Sequence, residues 1–325
     1  MAQKSTPLAT NVWNNMLFYQ LPNGGWAKQY IDGTTVDYSK ELTSSLKSKI
    51  QTESIYATID NHATTKEIET LAEGYHITSK KKYSDAVVKG IQYLLSAQYE
   101  NGGFPQYFPD TRNYRSQITF NDNAMINALT VLRDVGSGQG MYIFVSDDLR
   151  LKAKKAVDRG VACILKAQVV VDGELTVWAA QYNTDLKPAQ ARKFEPISLA
   201  ASESVGIVRF LMKEKPTAEI VAAVESAIKW FEKTKIKGYR FEGNRNAKGK
   251  MERKLVTDPS SVLWSRFYEI GSNKPVFGDR DDKVHYNFDE ISEERKNGYA
   301  WFGQWPLNLL DNNYPKWLKS IKSTK

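Results

Sequence analysis

The chain is poor in the residues that build the commonest covalent and catalytic sites, with one cysteine and three histidines in 325 residues. A single cysteine excludes a disulfide framework within the chain. Cys163 falls on the apolar side of a helical pattern beside Ile164, where a buried, inert thiol is expected. His62, His76 and His285 show no Cys/His spacing of a zinc site, and with no G-x-S-x-G word they supply no Ser-His-Asp or Cys-His template. The glycine-rich stretch GSGQG at 136–140 follows a helical pattern and lacks the Lys-Ser/Thr ending of a phosphate loop, so it reads as a connection between helices. There is no run of about 18 apolar residues and no charged, apolar, small-residue leader. As given, the chain is expected neither to span a membrane nor to encode its own export.

What the chain does have is a repeat. Ala86, Val87, Gly90, Ile91, Leu94, Ala97 and Gln98 recur 70 positions on as Ala156, Val157, Gly160, Val161, Ile164, Ala167 and Gln168. A further 67 positions on stand Ala223, Val224, Ala227, Ile228 and Phe231, and stepping back 78 carries Gln98 to Gln20 and NGGF (101–104) to NGGW (23–26). Each copy has the i, i+3, i+4, i+7 stripe of an amphipathic helix. A second helical set starts near Thr64, Asp122 and Ser198, which predicts three helical hairpins and an α-solenoid or α/α toroid. The fold expectation is therefore all-α, one domain over 1–325, with long loops over a central cleft. The Pro-, Gly- and Asp-rich stretch 251–286 is assigned to those loops.

Two Asp-Asn pairs, Asp60-Asn61 and Asp122-Asn123, each precede a helical pattern. Either they only cap their helices, or, sharing one place in the repeat, they present hard oxygen ligands to a calcium ion; the sequence leaves both open.

The charge balance is basic, 45 Lys+Arg against 37 Asp+Glu, a net +8 that favours a polyanionic partner. No nucleic-acid-binding signature accompanies it, and lysine runs such as 80–82 read as solvated helix faces. The aromatic content, with 8 Trp and 17 Tyr, includes many rings outside the helices beside Gly, Asn or Arg. Rings of that kind line carbohydrate clefts as well as cores. Cations with aromatics point to an acidic polysaccharide and away from nucleic acid and membrane.

The words ATIDNHATTKEI, NGGFPQYFPD, ITFNDNAM, AQYNTDLKPAQARKFEPISLAASESVGIVRFLM, LWSRFYEIGSNKPVFGDRD and ISEERKNGYAWFGQWP stand in that order. Over about 12–310 the chain resembles the catalytic module of the family 10 polysaccharide lyases, the pectate lyases. That resemblance implies an α/α toroid and calcium-dependent anti β-elimination on polygalacturonate, leaving unsaturated oligogalacturonides. It implies Asp60, Asn61 and Asp122 as calcium ligands, Arg280 as the base, and Arg192 and Arg266 as carboxylate-binding residues; Lys187 and Tyr182 are further substrate-binding candidates. A secreted, periplasmic or cell-surface monomer is expected.

These residue types suit the chemistry. Removing the C5 proton beside a uronate carboxylate builds enolate-like charge, which a hard cation and guanidinium groups stabilise. Guanidinium groups also hold carboxylates through two parallel hydrogen bonds. An arginine base is unusual because guanidinium is almost always protonated, and Arg280 read alone simply pairs with Asp279, Asp281 or Asp282. The resemblance departs from the family pattern at Tyr182 and Asn183 (AQYN for AQHD), at Ala27 for Pro, and at His62 for a small residue. Two rival readings stand beside the lyase: a glycoside hydrolase with Asp60 and Asp122 as acid and base, and a non-catalytic module that binds acidic polysaccharide.

Overall fold

The computed structural model describes residues 6–323; the other terminal residues of the expected 1–325 domain lie outside the described residues. Two compact units, Met1–Cys163 and Ile164–Lys325, divide the chain within one long helix.

The first unit is helical. Its elements are α1 (Pro7–Tyr19), the single turn α2 (Ser44–Lys47), α3 (Thr65–Thr78), α4 (Lys81–Ala97), α5 (Ala124–Ser137) and the start of α6 (Asp147–Ala167). α3 packs against α1, α4 and α5, burying Ile68, Leu71 and Ala72. The amphipathic spacing expected of α4 is met: Val87, Ile91 and Leu94 are fully buried, while Lys82 and Lys89 lie outside the buried face. Gly90 is required there, because a Cβ would meet Ile68 Cγ1 at 2.6 Å. Its repeat partner Gly160 meets Leu129 Cδ2 at 2.3 Å in the same way. Only glycine lets each pair of helices approach so closely.

The repeat has a polar signature as well. Gln20 Nε2 donates to the carbonyls of Gly24 and Ala86, both at 2.9 Å. Gln98 Nε2 donates to Gly102 (3.0 Å) and Ala156 (2.8 Å), and Gln168 Nε2 to Thr176 (2.8 Å) and Ala223 (3.0 Å). Each glutamine closes its own turn and reaches the corresponding alanine of the next repeat helix. Leu94 and Ile164, the repeat-related core positions, are both 0% exposed.

The second unit corrects the expected fold class. It has helices α7 (Ala201–Leu211), α8 (Ala218–Lys233), α9 (Glu293–Gly298) and α10 (Tyr314–Ser323), but also a long antiparallel ribbon of Ile236–Arg245 with Met251–Ser265. Phe302–Gly303 pairs on the ribbon's second strand. A separate sheet runs in the order 284–285, 275–278, 267–268, 199–200. With about 48% helix and 16% strand, the chain is not all-α, and the purely helical toroid is overturned. The stretch read as irregular loops, 251–286, contains most of these strands. The physical reason is alternation: Tyr239 and Phe241 on one strand oppose Thr257 and Leu255 on the other, and this face leans on a core of Phe277, Phe288, Trp301 and Phe302. No helix among the described residues is long and apolar enough to cross a membrane.

Candidate active site

In the first unit, the segments ahead of α3 and α5 fold into matching tight turns, Asp60–His62 and Asn121–Asn123, which pack against each other. In each turn the chain enters the left-handed region: Asn61 (φ 50°) and His62 (φ 64°) in the first, Asp122 (φ 51°) and Asn123 (φ 59°) in the second. Asn and Asp tolerate that region best, and residues held there concentrate at functional sites. The geometry corrects the sequence register by one position. Asn61 corresponds to Asp122 and Asp60 to Asn121, in line with Thr58-Ile59 and Thr119-Phe120 before them.

Neither Thr64 nor Asn123, the residues directly ahead of α3 and α5, caps its helix through its side chain. Asp60 is 3% exposed; its Oδ2 accepts from Lys28 Nζ, while its Oδ1 is buried with no hydrogen-bond partner. Asn123 Oδ1 is likewise buried without a partner, and Asp122 Oδ2 accepts from Asn121 Nδ2 at 2.9 Å. For Lys28, burial pulls the pKa down, but the Asp60 charge and then Tyr107 outweigh it and raise it. Among the described residues no group of three or more His, Cys, Asp or Glu side chains is placed to hold a metal ion by itself. A cation here would have two carboxylates plus amide and water oxygens, the mixed hard donor set that calcium accepts. The orphaned Asp60 Oδ1 is the feature that makes these residues fit calcium.

One helical turn on, Glu67 is buried on the first turn of α3, and the Tyr38 hydroxyl donates to its Oε1 at 2.8 Å. Burial pushes this carboxyl up to about 7 from its ordinary 4.5, against the opposing pull of the Tyr38 hydrogen bond. The folded value is the higher one, so folding favours the protonated form. Glu67's contribution to stability is complete below about pH 4.5 and is lost as pH rises to about 7, a change of about 3 kcal/mol. Glu67→Gln is expected to remove that part of the pH slope. Urea unfolding at pH 5 and pH 8 measures it, and an unaltered slope in the variant would place its origin elsewhere.

In the second unit, three guanidinium groups surround one ring. Arg295, Arg192 and Arg280 lie 4.3, 4.7 and 5.1 Å from the centroid of buried Phe194. Each is also tied to a carboxylate. Arg192 Nε donates to Glu195 at 2.8 Å, and Tyr299 Oη donates to the same carboxylate at 2.9 Å. Burial would raise the Glu195 pKa, but Arg192 outweighs it and holds it low. Arg280 and Arg295 share Glu294: Arg280 Nε and Nη2 donate to it at 3.2 and 3.1 Å, and Arg295 Nε at 2.8 Å. The two arginines hold the Glu294 carboxyl at about 2, and Glu294 in turn raises the Arg280 pKa. Arg266 is 9% exposed, paired with Glu203 on the first turn of α7 and stacked 4.8 Å from the Tyr299 ring.

A family model for pectic acid lyase matches residues 20–310. The chain belongs to the pectic acid lyase family. Among solved structures it is similar to a mutant of the family 10 polysaccharide lyase of Cellvibrio cellulosa in complex with trigalacturonic acid, at TM-score 0.84 and 35% identity over 95% of this chain and 92% of that one. A second structure of the family 10 polysaccharide lyase from the same organism matches at TM-score 0.82 and 34% identity, covering 97% and 98%. A comparison with curated proteins gives no match. The protein is thus a polysaccharide lyase of this family.

For a pectic acid lyase, the placement of the sequence-derived candidates is uneven. Asp60, Asn61 and Asp122 lie on the two packed turns of the first unit. Arg192 and Arg280 meet at Phe194, and Arg266 sits nearby through Tyr299, which also touches Glu195. Arg280 pairs with Glu294, and of its three neighbouring aspartates only Asp279 touches it, at the backbone N–H. Lys187 is exposed on a tight loop whose turn Asn183 closes, its Oδ1 accepting from the N–H groups of Asp185 and Lys187. Tyr182 has to be corrected. It is 0% exposed and its hydroxyl accepts from the Ala179 N–H at 2.7 Å, as the Tyr268 hydroxyl does from Ser265 at 2.9 Å. Trp178-x-x-x-Tyr182 and Trp264-x-x-x-Tyr268 are the same internal turn, so Tyr182 belongs to the interior and not to a sugar-binding surface. Sequence reasoning assigned no role to Phe194, Glu294 or Arg295. Glu294 and Arg295 stand within ISEERKNGYAWFGQWP, but nothing local in the sequence ties them to residue 280.

Proposed function

We propose that this lyase cleaves polygalacturonate by calcium-dependent anti β-elimination with Arg280 as the base, leaving an unsaturated uronide at the new non-reducing end. The observation that carries the reading is the gathering of Arg192, Arg280 and Arg295 on one aromatic ring. Three guanidinium groups so close repel one another unless anions lie between them, and today's anions are Glu195 and Glu294. A substrate carboxylate can take the same two-pronged place. Asp60, Asn61 and Asp122 would hold the calcium, which when bound neutralises a uronate carboxylate and makes the adjacent C–H more acidic. Arg280, once it has parted from Glu294 and released a proton to solvent, would accept the C5 proton as the C4–O bond breaks and its electron pair leaves with the departing sugar. In the same proposal residues 1–325 are a single catalytic domain, and the enzyme works as a monomer that is secreted, periplasmic or at the cell surface.

The test is an ultraviolet absorbance assay on polygalacturonate with calcium and with chelator. The expected result is absorbance from a conjugated unsaturated product in calcium and none in chelator. Saturated reducing ends without absorbance would replace the lyase chemistry by hydrolysis, and binding without product would make the chain a carbohydrate-binding module. Unchanged turnover in chelator would remove calcium from the proposal.

A further inference from the structure

Beside the Asp60–His62 turn lies a cavity of about 280 Å³ that adjoins the proposed calcium ligand Asn61. Its wall includes Lys28, Tyr38, Asn61, His62, Lys66 and Glu67. At this size it holds one monosaccharide unit, below the roughly 300–1,000 Å³ of pockets for larger ligands.

Two features mark it as built to bind. The first is Glu67, a carboxylate 4% exposed whose Oε1 accepts from Tyr38 while Oε2 is buried with no hydrogen-bond partner. A buried acceptor left without a donor is costly, and a ligand hydroxyl relieves that cost. The second is Lys66, exposed, without an ion pair among the described residues and lining the same cavity as that carboxyl group. Lys28 is different, since Asp60 already engages its ammonium. The cavity therefore offers a buried hydrogen-bond acceptor in Glu67, the nearly buried Tyr38 and an exposed cation in Lys66. That arrangement complements a sugar ring with a hydroxyl on one side and a carboxylate on the other.

We propose that this cavity is a subsite for one further uronate unit of the polymer, with Glu67 Oε2 accepting from a ring hydroxyl and Lys66 pairing with that unit's carboxylate. The proposal rests on reading the chain as a lyase of polygalacturonate, but it concerns binding and is tested by binding. His62, at the mouth and exposed, lies where it contributes to the choice of unit without taking part in the reaction.

The experiment is calorimetric titration of hexagalacturonate into the full chain in calcium, for the wild type, Lys66→Glu, Glu67→Gln and the control Lys80→Glu. Lys80 is exposed and lies beyond the far end of α3, so its reversal changes net charge equally but not the cavity. The Kd is expected to rise about tenfold in Lys66→Glu and in Glu67→Gln and to stay within twofold in Lys80→Glu. Lys66→Glu is an exposed change on the first turn of α3, where an acid suits the helix, so it remains informative even if Glu67→Gln is poorly folded. An unchanged Kd in Lys66→Glu, or an equal rise in Lys80→Glu, would overturn the subsite. Loss of ultraviolet product with hexagalacturonate still bound would instead count against the lyase reading alone, leaving the Kd comparison to decide the cavity.

Discussion

Arg280→Ala is expected to lower kcat on polygalacturonate by at least roughly 10⁴-fold while changing KM far less. A positioned general base contributes roughly 10²–10⁴-fold, and a group that stabilises developing charge roughly a further 10²–10³-fold. Arg280 is proposed to do both. Binding should persist because Arg192 remains at the ring of Phe194 and the oxygen donors of Asp60, Asn61 and Asp122 are untouched. The pairing with Glu294 sharpens the expectation: the guanidinium is held in its charged form, so it has to part from Glu294 and release a proton to solvent before it can accept one from C5. Arg280→Lys keeps a positive charge but loses the planar fork that Glu294 and a uronate would both grip. It should be nearly as poor as Ala at neutral pH and recover partly in alkali, since an ammonium sheds its proton more readily. Steady-state rates across pH read this, and near-normal activity in Arg280→Ala would direct attention to Lys28 and Lys187 as bases.

Asp122→Asn is expected to raise the calcium concentration for half-maximal activity by one to two orders of magnitude and to lower kcat with it, while the melting temperature stays close to that of the wild type. The substitution is chosen for the backbone. At φ 51° an Ala would add roughly 1–2 kcal/mol of strain, whereas Asn tolerates the left-handed region as Asp does. Asn also keeps an oxygen in place and deletes only the charge. Because Asn matches Asp in shape and the Asn123 side chain ahead of α5 is no cap, little stability is lost with the charge. Calcium titrations of activity with parallel melting curves separate the two effects. The same calcium requirement with normal turnover would show that Asp122 is not a ligand, and a large drop in melting temperature would make it a structural residue.

The helices were legible because burial repeats every three to four residues, and the same counting brought Gln98 and Gln168 into register before any contact was seen. Glutamine at a fixed place after an apolar helix is a signal that periodicity alone would pass over. The ribbon was missed because proline, glycine and aspartate in 251–286 were weighed above the alternation of Tyr239 and Phe241 with Leu255 and Thr257, which only tertiary burial turns into strands. The slip between Asp60-Asn61 and Asp122-Asn123 has a similar origin. The eye pairs identical letters, while the backbone pairs residues that share a left-handed conformation. Tyr182 looked like a departure from a family word, yet its spacing from Trp178 matches that of Tyr268 from Trp264, and that comparison was available in the sequence. Glu294 could not be found in this way, since nothing local links residue 280 to residue 294.

Each of the three glutamines spends one hydrogen bond on its own turn and the other on the helix of the copy that follows. The copies are thus chained in one direction, like links that hook only forward. A single hairpin cut from this chain would carry an amide with nothing to hook onto, and its helix would lack the amide that belongs at Ala86, Ala156 or Ala223. Shortening the protein by deleting a whole copy would therefore have to rejoin a glutamine to an alanine to preserve the linkage, which makes loss of half a copy far more damaging than its residue count suggests.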